Sequence, residues 1–237
     1  MPPKILRSPL TQALLLLTAV SLLTRYLCGN YFDISLDEGI YLNGGHRIAS
    51  GQRLYLDFFA FIGPLIYWLQ AILSSLFGNY LPSLRWSTSV SVGAICIGTF
   101  YLGRSVAGSS AGLVSTLIWL GVWLDLPNRM EVNHRWLSSG FNALAMGAIL
   151  GAPSTSRIWN LIAGIFMGLA IFTTPSFAVC AGLIGFHFLI ADRLRFLPYL
   201  LGGCTSCLTI VGILAAFDGR LRIMWMRTSF LMAAFLR

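Results

Sequence analysis

Two adjacent carboxylates, Asp37 and Glu38, follow shortly after the first long apolar run of the chain. On a helix, neighbouring side chains point about 100° apart, so one carboxylate can face a reaction centre while the other binds a neighbouring group. A carboxylate beside a substrate can act as a general base that removes a proton from a hydroxyl group. The alternative is that both acids only stabilise the positive, N-terminal end of a short surface helix.

Arginine and histidine side chains form a second set of candidate groups. The segment Glu131-Val132-Asn133-His134-Arg135 comes soon after Arg129, and Arg85 precedes another apolar run. The planar guanidinium group of arginine can hold two phosphate oxygens at once, which makes these arginines candidates for phosphate binding. The alternatives are that Arg85 only anchors a span at the membrane interface and that the loop arginines are ordinary surface charges.

The composition identifies the setting in which these groups must work. The 237 residues include 16 Lys and Arg but only 8 Asp and Glu, and 57% are hydrophobic whereas 10% are charged. A soluble domain is about 25% charged, so a soluble enzyme, a disordered segment and a disulfide scaffold are excluded. The net charge of +8 is interpreted against a lipid surface, and no nucleic-acid partner is predicted. We see no repeat or linker, so residues 1–237 are predicted to form a single transmembrane domain.

Apolar runs near the length of a membrane span, about 20 residues, recur along the chain. They are Leu10–Cys28, Phe58–Phe77, Trp86–Leu102, Ala111–Leu124, Leu137–Leu150, Ile158–Phe172, Phe177–Ile190 and Leu197–Phe217. Lys4 and Arg7 precede the first run, which predicts an uncleaved anchor with a cytoplasmic N-terminus. The pairs Gly164-x-x-x-Gly168 and Gly202-Gly203 provide small residues for helix contacts. Residues 218–237 alternate arginines with Met, Trp and Phe, which is typical of an interfacial amphipathic helix.

The run Phe58–Phe77 is ambiguous, because Gly63-Pro64 near its start leaves a shorter helix that can lie in the interface. If the run spans the membrane, eight of the lysines and arginines outside the spans face the cytoplasm; if it lies flat, six do. The excess of positive charge in cytoplasmic loops does not decide between these counts.

Several short motifs in order resemble those of one family. They are Asp37-Glu38, Gly51-Gln52-Arg53-Leu54-Tyr55-Leu56-Asp57, Gly63-Pro64-Leu65-Ile66-Tyr67-Trp68, Leu84-Arg85-Trp86, Asn128-Arg129-Met130 and Phe172-Thr173-Thr174-Pro175. Together they resemble the polytopic GT-C glycosyltransferases, in the branch of the protein O-mannosyltransferases and the aminoarabinose transferases. The resemblance runs from Asn30 to Phe217 and matches the N-terminal half of the family. Since members usually carry further spans, a fragment, a split product that needs a second polypeptide and a degenerate copy all remain open.

The resemblance implies an all-α fold. It is a polytopic transmembrane helix bundle of about seven spans, with two juxtamembrane helices in the first extracytoplasmic loop. These helices correspond to Asp37–Ser50 and Pro64–Phe77 of this chain. The loop that holds Arg129 to Arg135 then lies on the same outer side as Asp37. The implied location is the bacterial inner membrane, with multiple passes.

The resemblance also implies a reaction. These enzymes transfer a sugar from a polyprenyl-phosphate donor to an acceptor hydroxyl on the extracytoplasmic side, with inversion at the anomeric carbon. Carried onto this chain, the catalytic residues are Asp37, as the base, and Glu38. Binding of the substrate and its phosphate is assigned to Arg85, Arg129, His134 and Arg135.

Two departures from the family pattern bear on this assignment. Relatives commonly carry an acid where this chain has His134, so Glu131 and His134 are candidate ligands of a divalent metal; no metal is firmly predicted. The alternative is an interfacial histidine without a chemical role. The aminoarabinose-type members also carry Glu-Lys where this chain has Phe61-Ile62, which moves the interpretation away from lipid A modification.

The competing function is a non-catalytic polytopic membrane protein, either a transporter-like bundle or a degenerate subunit of a transferase. A transporter places ionisable groups or broken helices near the membrane midplane. Apart from His187, the spans predicted here are nearly free of titratable groups. This pattern favours chemistry at the membrane surface.

Overall fold

The computed structural model describes residues 9–28, 36–78, 84–125, 131–151 and 156–218, and this part of the chain is built from helices without a named strand. The elements are α1 Pro9–Cys28, α2 Leu36–Ala49, α3 Pro64–Phe77, α4 Trp86–Asp125, α5 His134–Gly151, α6 Arg157–Thr173, α7 Phe177–Ala191 and α8 Arg193–Asp218. The all-α prediction is confirmed, whereas the number of spans stays a prediction. The predicted helix in the tail lies beyond Asp218, outside the described residues, as do Lys4, Arg7 and Arg129.

The helix α4 is interrupted near its centre. Ala107 (φ −144°) and Gly108 (φ 81°) have non-helical backbone angles, and the left-handed φ of Gly108 is one that glycine adopts at little cost. The two limbs fold back on each other, because a Cβ on Gly112 would lie 2.6 Å from the carbonyl oxygen of Phe100. The 40-residue element is therefore a helical hairpin, and its limbs correspond to the two separate runs predicted from the sequence.

The exterior of the bundle is strongly apolar. Among the described residues, two helices are long and apolar enough to cross a membrane, Trp86–Asp125 and Arg193–Ala216, and the other apolar helices are shorter. Large aliphatic side chains, such as Leu117 and Leu208, are exposed on the outer faces of these two helices. An apolar exterior of this kind is covered in lipid, and the fold fits an integral membrane protein.

The helix contacts define two ends of the bundle. Thr174 Oγ1 donates to Ser138 Oγ at 3.0 Å, so the end of α6 lies beside the start of α5, and the two helices run antiparallel. Gly164 and Gly168 of α6 pack directly on Gly203 of α8, with residue numbers rising in the same direction along both helices. The small residues thus make the predicted helix contact. We call the two ends the His134 end, where α5 begins, and the Arg157 end, where α6 and α8 both begin.

The helices α2 and α3 form a short layer at the His134 end. The rings of Tyr41 and Tyr67 pack edge to face with centroids 6.0 Å apart, and Gly63 lies against the carbonyl group of Phe172 at the end of α6. Pro64 starts α3, where a proline costs no hydrogen bond. With 14 residues, α3 is about 21 Å long, which is too short for a bilayer core of about 30 Å. The segment 58–77 therefore does not form one spanning helix.

Candidate active site

A buried ion pair joins α2 to the start of α4. Arg85 Nε donates to Glu38 Oε1 at 2.9 Å, and Arg85 Nη2 donates to Glu38 Oε2 at 2.8 Å. Both side chains are almost fully buried, with exposed fractions of 0% for Glu38 and 1% for Arg85. Glu38 Oε1 also accepts the backbone N–H of Val132 at 3.0 Å. One carboxylate therefore holds α2, the start of α4 and the loop before α5 together.

Two further hydrogen bonds stabilise the same junction. Thr88 Oγ1 donates to the carbonyl oxygen of Glu131 at 2.8 Å, which fixes the loop to α4. Gln70 Nε2 donates to Ser87 Oγ at 2.9 Å, which fixes α3 to α4. These contacts connect α3, α4 and the loop before α5 at the junction that holds the Glu38–Arg85 pair.

The hydroxyl group of Tyr41 lies 2.8 Å from Nδ1 of His134, and the Tyr41 side chain is fully buried. Burial is the largest cause of the raised pKa of Tyr41. The carboxylates of Asp37 and Glu131 raise it further, whereas the charge of Arg135 lowers it. The Tyr41 hydroxyl thus lies within the electrostatic range of Asp37, Glu131 and Arg135. The proximity of Asp37 to the loop that carries His134 stays a prediction, which this electrostatic influence supports.

Tyr67 provides a second buried hydroxyl group beside Asp37. Burial, and then the charge of Asp37, raise the pKa of Tyr67 to about 12. Its oxygen has no hydrogen-bond partner among the described residues. Asp37 itself is half-buried. We use the name Asp37 cluster for Asp37, Tyr41, Tyr67, His134 and Arg135.

The loop before α5 has an internal structure that presents two members of the cluster. Asn133 Nδ2 donates to Glu131 Oε1 at 2.7 Å, and the backbone N–H of Arg135 donates to Asn133 Oδ1 at 2.8 Å. The Asn133 side chain thereby caps the first turn of α5. His134 is held inward against Tyr41, whereas Arg135 is exposed.

The structure separates the predicted site residues into two groups. Asp37, Glu131 and Arg135 act electrostatically on the Tyr41 hydroxyl, which contacts His134, whereas Glu38 and Arg85 form a separate buried ion pair. Arg129 falls outside the described residues. Within the described ranges, no three His, Cys, Asp or Glu residues are grouped closely enough to hold a metal ion. Glu131 and His134 each have a protein partner instead.

Sequence reasoning did not select Tyr41 and Tyr67 as site residues. A signal for Tyr41 was present, since it follows Asp37 by four residues and helix positions four apart share a face. Tyr67 lies in the Gly-Pro-Leu-Ile-Tyr-Trp motif, but its position beside Asp37 depends on the packing of α3 against α2.

The other motif of the first loop has a local structural role. Arg53 and Asp57 form an exposed ion pair at 3.1 Å, and the hydrogen bonds from Arg53 lower the pKa of the Asp57 carboxyl group. Tyr55, whose φ is 68°, donates its hydroxyl to the carbonyl oxygen of Ile62 at 2.6 Å. These contacts shape the connection between α2 and α3.

Comparison with known proteins gives a match at the level of the fold. No family model matches the chain, and no curated protein sequence matches it. The crystal structure of ArnT from Cupriavidus metallidurans bound to undecaprenyl phosphate matches with a TM-score of 0.67 and 17% sequence identity. The match covers 90% of this chain and 43% of that chain. The chain therefore has the fold of ArnT, a GT-C aminoarabinose transferase, over less than half the length of that protein, which confirms the resemblance predicted from its motifs.

Proposed function

We propose that this chain provides the acceptor-activating part of a membrane glycosyltransferase that uses a polyprenyl-phosphate sugar. Asp37 is the general base in this proposal. The observation that carries it is that Asp37 is half-buried and that its charge acts on the Tyr41 hydroxyl, which contacts His134. The fold shared with ArnT supports the reaction class.

The proposed chemistry is a single displacement with inversion. The acceptor oxygen attacks the anomeric carbon while Asp37 takes the proton of the acceptor hydroxyl group. The bond between the anomeric carbon and the phosphate oxygen breaks, and the phosphate departs with the bonding electrons. The half-buried environment of Asp37 limits competing attack by water.

The leaving phosphate is an anion and needs a positive partner or hydrogen-bond donors. Arg135 and His134 are the described residues that we propose for this role, together with Arg129. Because Tyr41 occupies Nδ1 of His134, the other ring nitrogen is the one available to a ligand. The undecaprenyl phosphate bound to ArnT makes a similar lipid phosphate the first donor to test.

We propose a different role for Glu38 and Arg85 from the one predicted from the sequence. The guanidinium group of Arg85 makes two hydrogen bonds to Glu38 and is buried. A group held in this way is suited to positioning, and we propose that the pair fixes the direction in which Asp37 points. The hydroxyl of Tyr67, which has no partner among the described residues, is suited to a hydrogen bond with the acceptor or the sugar.

The test is sugar transfer from undecaprenyl-phosphate sugars by membranes that contain the full-length protein. Asp37→Asn should lower the rate at least about 100-fold, since general-base catalysis contributes that much or more. Asp57→Asn is a matched control, because Asp57 lies in the same loop region but pairs with Arg53, and transfer should be retained. Full activity of Asp37→Asn would remove Asp37 as the base.

Donor binding is measured separately with undecaprenyl phosphate alone. Arg135→Gln should weaken this binding, whereas Asp37→Asn should not weaken it. If Asp37→Asn abolishes both transfer and binding, the carboxylate has a structural or binding role instead of a catalytic one.

A further inference from the structure

A groove of about 570 Å³ lies between the starts of α6 and α8. Arg157 and Arg193 line it, and its wall is formed by leucines that include Leu161, Leu197 and Leu201. The volume lies within the range of small-molecule sites, about 300–1,000 Å³. The groove thus combines two positive groups with an apolar surface.

The groove is separate from the Asp37 cluster. Arg157 and Arg193 are the first residues of α6 and α8, which run parallel, so both lie at the Arg157 end of the bundle. The 17 residues of α6 place about 25 Å between this end and Thr173, whose neighbour Thr174 contacts Ser138 near the Asp37 cluster. A ligand in the groove therefore does not reach the candidate active site.

The charge at the Arg157 end is positive and poorly compensated. Four arginines of the described chain lie there, namely Arg104, Arg157, Arg193 and Arg195. Among the described residues of that end, Asp192 is the acidic one. Asp192 pairs with Arg195 at 2.9 Å. Within the described ranges, Arg157 and Arg193 have no carboxylate partner.

The backbone at the start of α6 adds to this preference for an anion. Ser156 occupies the N-cap position but makes no side-chain hydrogen bond to the helix. The first N–H groups of a helix lack partners within the helix and favour negative charge nearby. Two helix starts with exposed arginines therefore face one groove.

We propose that this groove binds an anionic phospholipid from the leaflet at the Arg157 end. The phosphate would contact Arg157 and Arg193, and an acyl chain would lie along Leu161, Leu197 and Leu201. Basic pockets between membrane helices are a recognised form of anionic-lipid site. A small soluble anion would leave the leucine wall uncovered, and a zwitterionic headgroup would bring a positive group towards two arginines. The inference is independent of the reaction proposed for Asp37.

The test is native mass spectrometry of the purified full chain in a neutral detergent, titrated with phosphatidylglycerol or phosphatidylcholine. Phosphatidylglycerol should bind at least about fivefold more tightly, because each surface arginine contributes about 1 kcal/mol towards an anionic lipid. The double variant R157Q/R193Q should lose this preference. R104Q, which removes a charge from the same end but outside the groove, should keep it. Inorganic phosphate at millimolar concentration should not displace the lipid.

A second pair of variants tests the apolar wall without a change of charge. Leu197→Trp fills the groove, whereas Leu200→Trp places the same side chain on an exposed part of α8 outside the lining. Leu197→Trp should weaken phosphatidylglycerol binding at least about fivefold, because two or more methylene groups of the acyl chain lose their apolar contact, and Leu200→Trp should not. If R157Q/R193Q fails to fold, the comparison of Leu197→Trp with Leu200→Trp still tests whether the groove binds the lipid.

Four results would overturn the proposal. They are equal binding of the two phospholipids, an equal loss in R104Q, displacement by inorganic phosphate, and equal behaviour of the two tryptophan variants.

Discussion

Removal of the Glu38 charge should destabilise the protein more than any surface substitution. In Glu38→Gln the guanidinium group of Arg85 stays charged, since arginine does not lose its proton in proteins, and it remains 1% exposed. Loss of one partner from a buried ion pair costs about 3–5 kcal/mol. For a chain of this size, each kcal/mol lowers the unfolding midpoint by about 2–4 °C. We therefore expect a decrease of roughly 6–20 °C.

The reverse substitution should cost less. In Arg85→Gln the buried carboxylate of Glu38 still accepts the backbone N–H of Val132, so it keeps one hydrogen-bond partner. The double variant Glu38→Gln/Arg85→Gln should be more stable than the sum of the two single losses predicts, because it removes both charges of the pair instead of separating one from the other.

The assay is thermal unfolding of the purified protein in detergent, followed by intrinsic fluorescence. Arg53→Gln serves as the control, because it breaks an ion pair of which Arg53 is 55% exposed, and exposed pairs often contribute nothing measurable. If Glu38→Gln and Arg53→Gln shift the midpoint equally, the buried pair does not hold the site together.

Three further predictions concern single side chains. Tyr67→Phe should keep or raise the unfolding midpoint near neutral pH, because the buried hydroxyl has no partner among the described residues and its desolvation is not compensated. Burial raises the pKa of Tyr67 to about 12, whereas a tyrosine in the unfolded chain has a pKa of about 10. The stability of the native protein should therefore fall as the pH rises from about 10 to 12. Unfolding midpoints measured over this range should fall less steeply in Tyr67→Phe. Gly164→Leu should separate α6 from α8 and lower the yield of folded protein, whereas Gly182→Leu, where a Cβ meets open space, should not; size-exclusion chromatography distinguishes them. Tyr41→Phe removes the hydrogen bond to His134 and should cost about 0.5–1.5 kcal/mol in unfolding experiments.

The helices were predictable because the sequence separates apolar runs from polar connections. The run Phe177–Ile190 became the helix Phe177–Ala191, since apolar segments in a membrane satisfy their backbone hydrogen bonds within the helix. The start of α8 was predicted too late, at Leu197 instead of Arg193. The helix includes two arginines at its start, where Arg195 pairs with Asp192 and long basic side chains reach towards the head groups.

The position of the candidate site residues along the chain could be predicted from the sequence, their roles stay a prediction, and their internal arrangement could not be predicted. The sequence pattern identified the acids and the loop of His134, and the family resemblance placed them on one side. The sequence pattern did not indicate which of Asp37 and Glu38 points into the protein, because either carboxylate can do so on a helix. That choice depends on Arg85, which is 47 residues away in the chain from Glu38.

The Glu38 ion pair has a consequence for the order of the two acids. Because the longer glutamate side chain reaches Arg85 and Val132 at the same time, an aspartate in that position would fall short by one methylene group. The exchange Asp37→Glu/Glu38→Asp would keep the composition and the net charge but leave the guanidinium group poorly matched. The order of the two acids therefore matters: Glu38 anchors α2 through Arg85, and the anchored helix sets the direction of the Asp37 side chain.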